Sequence, residues 1–181
     1  VLQRDDALGP YVVRTLAAGW ETPPGVQLRD LGTPGSDLIT HLRGAGALVV
    51  VDTVRADEAP GTLLRYDGRR LTERAPGPRT GPHDPGLTET LGTLELLDEA
   101  PGEVVLVGVV PGTVRSGLGL SPAVARAVPR AADAVRRELR RLGRPLRRRA
   151  EPGVPDLWWE RDRASRASRQ TGPGPTGPGT G

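Results

Sequence analysis

The sequence contains no cysteine, no methionine and no lysine. Lack of thiols excludes disulfides, thiolate metal sites and cysteine nucleophiles, and permits a reducing, cytoplasmic setting. Lack of a methionine at position 1 leads to the expectation that the N-terminus has been lost. Lack of lysine leaves arginine as the sole source of the 25 basic residues, a pattern expected of coding bias in a GC-rich genome. No run approaches the ~20 apolar residues of a membrane-spanning helix, and no charged-then-apolar signal opens the chain; the reading is of a soluble protein.

What is present divides into two unlike parts. At 181 residues the chain has the length of one domain, but its apolar content of 36% is low, while 25 Gly and 19 Pro are many, so part of it is expected to be unfolded. Residues 1–135 carry 13 Arg against 17 acids, whereas residues 136–181 carry 12 Arg against 5 acids. The expected boundary is Gly143, with residues 1–143 as the folded domain and residues 144–181 as an Arg-, Pro- and Gly-rich disordered tail. A nucleic-acid role for Arg136–Arg149, with Trp158 and Trp159 to stack bases, is the less favoured use of that tail.

Within the folded part, Ala47–Asp52 stands out: three consecutive valines after Gly44 and Gly46, ending in a carboxylate. A run this short and β-branched predicts a strand buried on both faces. Ligands of open α/β sheets bind beyond the carboxyl ends of strands, so Asp52 is readable as a site residue and, equally, as a turn cap. Leu8, Val12 and Leu16 predict a helix that stops at Gly19, with Asp5 and Asp6 at its N-terminus, where carboxylates cap and meet the helix dipole favourably. Val26–Asp30 and Thr62–Tyr66 read as strands, and Leu38, Ile39 and Leu42 as one short helix. The stripe Leu87, Leu91 and Leu94 gives another helix, Val104–Val110 a second buried strand, and Ser121-Pro122 the start of a long final helix. Alternating helices and strands predict a three-layer α/β sandwich, its sheet mostly parallel, its helices on both faces and its first strand missing.

Three ionisable residues hold comparable places: Asp6 where a helix begins, Asp52 where the central strand ends, and His83 in a long Pro/Gly-rich loop ahead of a helix. Two carboxylates and an imidazole suit a borderline divalent ion such as nickel or zinc, although spacing alone does not bring them together and a loop histidine is commonly solvated. His41 reads as a surface residue, and Ser36 and Ser121 as helix caps. No dinucleotide, phosphate-loop or nucleophile-elbow motif is present.

Several segments, in order, carry a resemblance: Arg4-Asp5-Asp6-Ala7-Leu8-Gly9-Pro10, Asp30-Leu31-Gly32-Thr33-Pro34-Gly35, Val49-Val50-Val51-Asp52, Pro60-Gly61-Thr62, Gly81-Pro82-His83-Asp84-Pro85-Gly86-Leu87, Val107-Gly108-Val109-Val110-Pro111 and Gly119-Leu120-Ser121-Pro122. Together they resemble the hydrogenase maturation endopeptidases, which trim a C-terminal extension from the nickel-iron hydrogenase large-subunit precursor after its metal is inserted. The resemblance implies that Asp6, Asp52 and His83 contact nickel carried by the precursor, as metal ligands and catalytic residues, and that Gly32, Thr33 and Gly35 line the peptide cleft. It also implies that a first strand and a Gly-x-Gly-Asn turn belong before Val1. Asp6 is a methylene shorter than the Glu of some relatives, Leu31 replaces a usual glycine, and Pro85 stiffens the chain after His83. A non-catalytic metal-binding or assembly factor of the same fold is the alternative reading.

Overall fold

The structure is a computed structural model, and it describes residues 4–32, 37–68, 86–113, 117, 119–157 and 159–160. A single-turn 3-10 helix, Arg4–Ala7, leads into α1 (Leu8–Gly19), followed by β1 (Trp20–Glu21), α2 (Leu38–Leu42), β2 (Ala47–Thr53) and β3 (Leu63–Asp67). Then come α3 (Leu87–Leu96), β4 (Glu103–Val109), α4 (Pro122–Arg141) and β5 (Arg147–Arg148). The main sheet has the order β2-β4-β3. β2 pairs parallel with β4 from Ala47↔Glu103 to Thr53↔Val109, and β3 pairs antiparallel with β4 from Leu63↔Val109 to Asp67↔Val105. The expected parallel pairing therefore holds for the two valine-rich strands. β3 reverses because the short link 54–62 holds no helix, whereas a parallel return needs a crossover of about a dozen residues or more.

Strand pleating explains why both faces of the sheet are covered, since successive side chains point to opposite sides. Val49, Val51, Val107 and Val109 join one core with Leu8, Val12 and Leu16 of α1 and Val124, Ala127, Ala131 and Val135 of α4. Leu48, Val50, Val104 and Leu106 turn the other way, onto Leu42 of α2 and Leu91 and Leu94 of α3. The result is the expected α/β sandwich. β4 is its centre, buried from Val104 to Val109, while β2 is the edge of the described sheet and its Val49, Val50 and Val51 are half-buried. Val26–Asp30, expected as a strand, is not one: Val26 and Leu28 pack on the first core, but the segment joins no ladder among the described residues.

The expected boundary at Gly143 is also corrected, because the chain folds back beyond it. Arg148 and Arg147 pair with Trp20 and Glu21 as a two-stranded ribbon, the Arg147 Nε lies 2.9 Å from Glu21 Oε2, and Arg149 donates from Nε to the Ala17 carbonyl at 3.1 Å. Leu146 and Leu157 pack against the core and Trp159 lies within it. The physical reason is aromatic burial: Trp159 is only 3% exposed and meets Tyr11 edge-on at 5.4 Å between ring centroids, while the Tyr11 hydroxyl donates to Glu160 Oε1 at 2.5 Å. A buried Trp159 cannot stack nucleic-acid bases, which removes half of the aromatic pair that reading required. The Arg136 guanidinium is likewise engaged, 3.5 Å over the Trp20 ring. Residues 161–181 lie outside the described residues. Among the described residues no helix is long and apolar enough to cross a membrane.

The Pro60-Gly61 turn shows why one glycine is needed where the resemblance marks it. Gly61 has φ +84°, and a Cβ there would sit 2.7 Å from the Ala123 carbonyl oxygen at the start of α4. Its N–H donates to the Val110 carbonyl at 2.8 Å, and its own carbonyl accepts from Arg130 Nη2 at 2.9 Å. Gly61→Ala adds left-handed strain to a backbone clash and is expected to cost about 2 kcal/mol or more, measured as a lowered urea midpoint at unchanged slope.

Candidate functional site

Asp5 and Asp6, expected together as caps of α1, do different things. The residue at the α1 N-cap is Ala7, which makes no side-chain cap hydrogen bond, so neither carboxylate serves that purpose. Successive residues of a 3-10 turn project about 120° apart, since it has three residues per turn. Asp5 points into the protein and is fully buried. Its Oδ2 accepts from Gly112 N at 2.7 Å, Thr113 N at 2.8 Å and the Ser121 hydroxyl at 2.9 Å, and its Oδ1 from Ser121 N at 2.6 Å. Ser121 is the expected cap of α4, its oxygen accepting from Val124 N at 3.5 Å.

Asp6 faces the other way, toward the carboxyl end of β2. Its Oδ1 accepts from the Thr53 hydroxyl at 3.4 Å, and the Thr53 N–H donates at 2.7 Å to Oδ1 of Asp52. Thr53 is itself buried, at 1% exposure, so one residue touches both carboxylates from below. Gly9, in the first turn of α1, permits this approach, because a Cβ there would lie 3.1 Å from the Val51 carbonyl. The structure thus brings Asp6 and Asp52 together, 46 residues apart in sequence, by seating the 3-10 turn on the end of β2.

Burial governs the electrostatics of the pair. Asp52 is pushed up to about 7, first by desolvation and further by the negative charge of Asp6, against the opposing pull of the Thr53 N–H. Asp6 is also raised by burial, with the Thr53 hydroxyl working the other way. Neither has an ion-pair partner among the described residues. Two adjacent carboxylates without a compensating cation hold a proton near neutral pH, and they can exchange it for a divalent ion or use it in acid–base chemistry.

The remaining expected site residues are less closely defined. His83 lies outside the described residues, as do Thr33 and Gly35. Gly32 is described: it has φ +58°, and its N–H donates at 3.0 Å to Asp30 Oδ1 in a tight local turn. Among the described residues no cluster of three or more His, Asp or Glu is arranged to hold a metal ion; the donor set there is the pair Asp6 and Asp52. His41 is exposed as expected, with Nδ1 3.5 Å from Arg29 Nη1. From the sequence Asp5, like Asp6, reads as a cap of α1. The one local signal of another role was that a helix start rarely needs two acids.

A family model described as hydrogenase maturation protease matches residues 10–138. The chain belongs to this family. The hydrogenase 2 maturation protease of Escherichia coli is 28% identical, over 79% of this chain and 87% of that protein. The hydrogenase expression/formation protein HoxM of Cupriavidus necator is 31% identical, over 93% of this chain and 87% of that one. Among solved structures, the hydrogenase maturating endopeptidase HybD from E. coli superposes with a TM-score of 0.74 at 28% identity, covering 82% of this chain and 92% of that structure. As a hydrogenase maturation protease, the chain is a member of a peptidase family, and the α/β sandwich around β4 is that family's fold. The matched segment includes Asp52 and the His83 position and begins just after Asp6.

Proposed function

We propose that this chain is the endopeptidase that removes the C-terminal extension of a nickel-iron hydrogenase large-subunit precursor, in the cytoplasm, after nickel has been inserted. The observation that carries the reading is the Asp6–Asp52 pair at the end of β2, two desolvated carboxylates lacking a cationic partner among the described residues, in a chain of this family. In this reading nickel is part of the substrate. Asp6 and Asp52 offer it hard oxygen donors, and His83 supplies the nitrogen donor that completes a set suited to nickel. Burial favours such an exchange, because a cation relieves the repulsion and desolvation that raise both carboxylates. A metal held there supplies a Lewis acid able to polarise a nearby peptide carbonyl. In this reading Gly32, Thr33 and Gly35 contribute to the cleft that takes the extended peptide, and the two glycines, having no side chain, permit close backbone approach.

The test uses the full chain with a purified large-subunit precursor, nickel-loaded or nickel-free. Cleavage of the loaded precursor alone is expected. His83→Ala should lower that cleavage at least 100-fold, read by the mass of the released C-terminal peptide. Equal cleavage of both precursors would refute nickel reading, and undiminished cleavage by His83→Ala would remove His83 from the site.

A further inference from the structure

We propose that Asp5 is a positioning residue for the carboxylate site: by binding the connection between β4 and α4, it aims Asp6 at the end of β2. This rests on the reading of Asp6 and Asp52 as the nickel-contacting pair, and adds to it a residue that touches neither the metal nor the peptide.

The 3-10 turn is only four residues long, too short to hold its own geometry, so what surrounds it must fix its rotation. Ala7 seats the end of the turn in the first core, and the hydrogen bonds of Arg4 and Asp5 tie its start to the β4–α4 connection. The Arg4 N–H donates to the Gly117 carbonyl at 3.1 Å and the Asp5 N–H to the Thr113 carbonyl at 3.4 Å. The Asp5 carboxylate adds the four bonds to Gly112, Thr113 and Ser121. On its outer side the described hydrogen bond is the 3.4 Å contact between Thr53 and Asp6, much the weaker anchor. Asp5 therefore sets the rotation of the turn, and Asp6 follows.

The chemistry of the anchor is specific to a carboxylate. All four donors point at acceptor-only oxygens, and Gly112 is small where it meets them: a Cβ would lie 3.4 Å from Asp5 Oδ2 and 3.0 Å from the Ser121 hydroxyl. An asparagine has the same shape but keeps a single accepting oxygen. With that oxygen in the place of Oδ2, its NH₂ group faces the Ser121 N–H, donor against donor. A fully buried mismatch of this kind is relieved by movement, and the lightly held turn is what can move. The half-buried Ser121 end of α4 and the site are thus mechanically linked through one side chain.

The test compares Asp5→Asn, Ser121→Ala and Val128→Ala in the full chain. Val128→Ala is a core truncation on α4 that lowers stability and removes none of the hydrogen bonds that hold the turn. Two readouts are taken: calorimetric affinity for nickel(II) ion alone, and the amide resonance of Thr53, whose N–H donates to Asp52 and whose hydroxyl donates to Asp6. Asp5→Asn is expected to weaken nickel binding at least tenfold and to shift the Thr53 resonance. Ser121→Ala, which removes one bond of four, should move both in the same direction by less, and it serves if Asp5→Asn does not fold. Val128→Ala should leave affinity within twofold and the resonance in place. Wild-type affinity and an unmoved Thr53 resonance in the folded Asp5→Asn or Ser121→Ala protein would overturn the proposal. Should the unaltered chain bind no free nickel, the metal is held only together with the precursor, the cleavage test decides the nickel reading, and the Thr53 resonance decides the role of Asp5.

Discussion

Asp52→Asn is expected to abolish cleavage of a nickel-loaded precursor, by at least 1,000-fold, and to make the protein more stable above neutral pH. The two effects share one cause. Asp52 sits in surroundings that disfavour its charge, raising it to about 7 from an ordinary value near 4. The unfolded chain therefore releases this proton first as pH rises, and between about 4 and 7 the folded state binds more protons than the unfolded state. Stability contributed by this group is full below about pH 4, falls across that window, and stays low above it. An asparagine keeps an oxygen to accept the Thr53 N–H and never ionises, so it escapes the loss. At one pH unit per 1.4 kcal/mol the relief is on the order of 2–4 kcal/mol at pH 8, worth roughly 5–10 °C in Tm for a domain of this size. Thermal melts of both proteins at pH 4, 6 and 8 check it: the curves should coincide at the lowest pH and separate as pH rises. A Tm difference that is independent of pH would mean that Asp52 is not held in its raised state. A site that weakens its own fold in this manner is the usual pattern for a group kept for chemistry.

Trp159→Ala is expected to lower Tm by about 10 °C, and removal of residues 144–181 to lower it further. The sequence alone divides the chain at Gly143 and predicts no effect from either change. In the structure, Trp159 fills the first core beside Tyr11 at the far end of a segment that also contributes Leu146 and Leu157. Loss of a buried tryptophan costs about 3–5 kcal/mol, and the Tyr11 hydroxyl loses the neighbour that orders its bond to Glu160. Truncation adds the exposure of Trp20, whose strand pairs with Arg147–Arg148 and whose ring lies under Arg136. Differential scanning calorimetry on the three proteins distinguishes the two boundaries directly. If Tm is unchanged after truncation, the folded domain ends where the composition changes.

The sequence by itself determined the elements whose signals are local. Three valines in a row after two glycines predict a strand, and the two-residue period of a strand puts Val49 and Val51 on one core and Leu48 and Val50 on the other. The helical stripes of α1, α3 and α4, the serine–proline start of α4, and the position of Asp52 at a strand end follow from spacing and stereochemistry that involve neighbouring residues only. The ordered motifs indicated the family for the same reason. Only the tertiary structure decided matters that depend on partners distant in the chain. Val26–Asp30 has the side chains of a strand but no ladder among the described residues, and a strand is defined by its neighbour. The stretch after Gly143 has the composition of a tail, yet a few apolar side chains among many charges suffice once a fitted surface awaits them. Two adjacent aspartates that look alike in sequence have different surroundings in space: Asp5 is buried against donors more than a hundred residues away, and Asp6 is turned toward the end of β2. A turn with three residues per revolution separates neighbours by a third of a circle, and no local pattern says which of them will face inward.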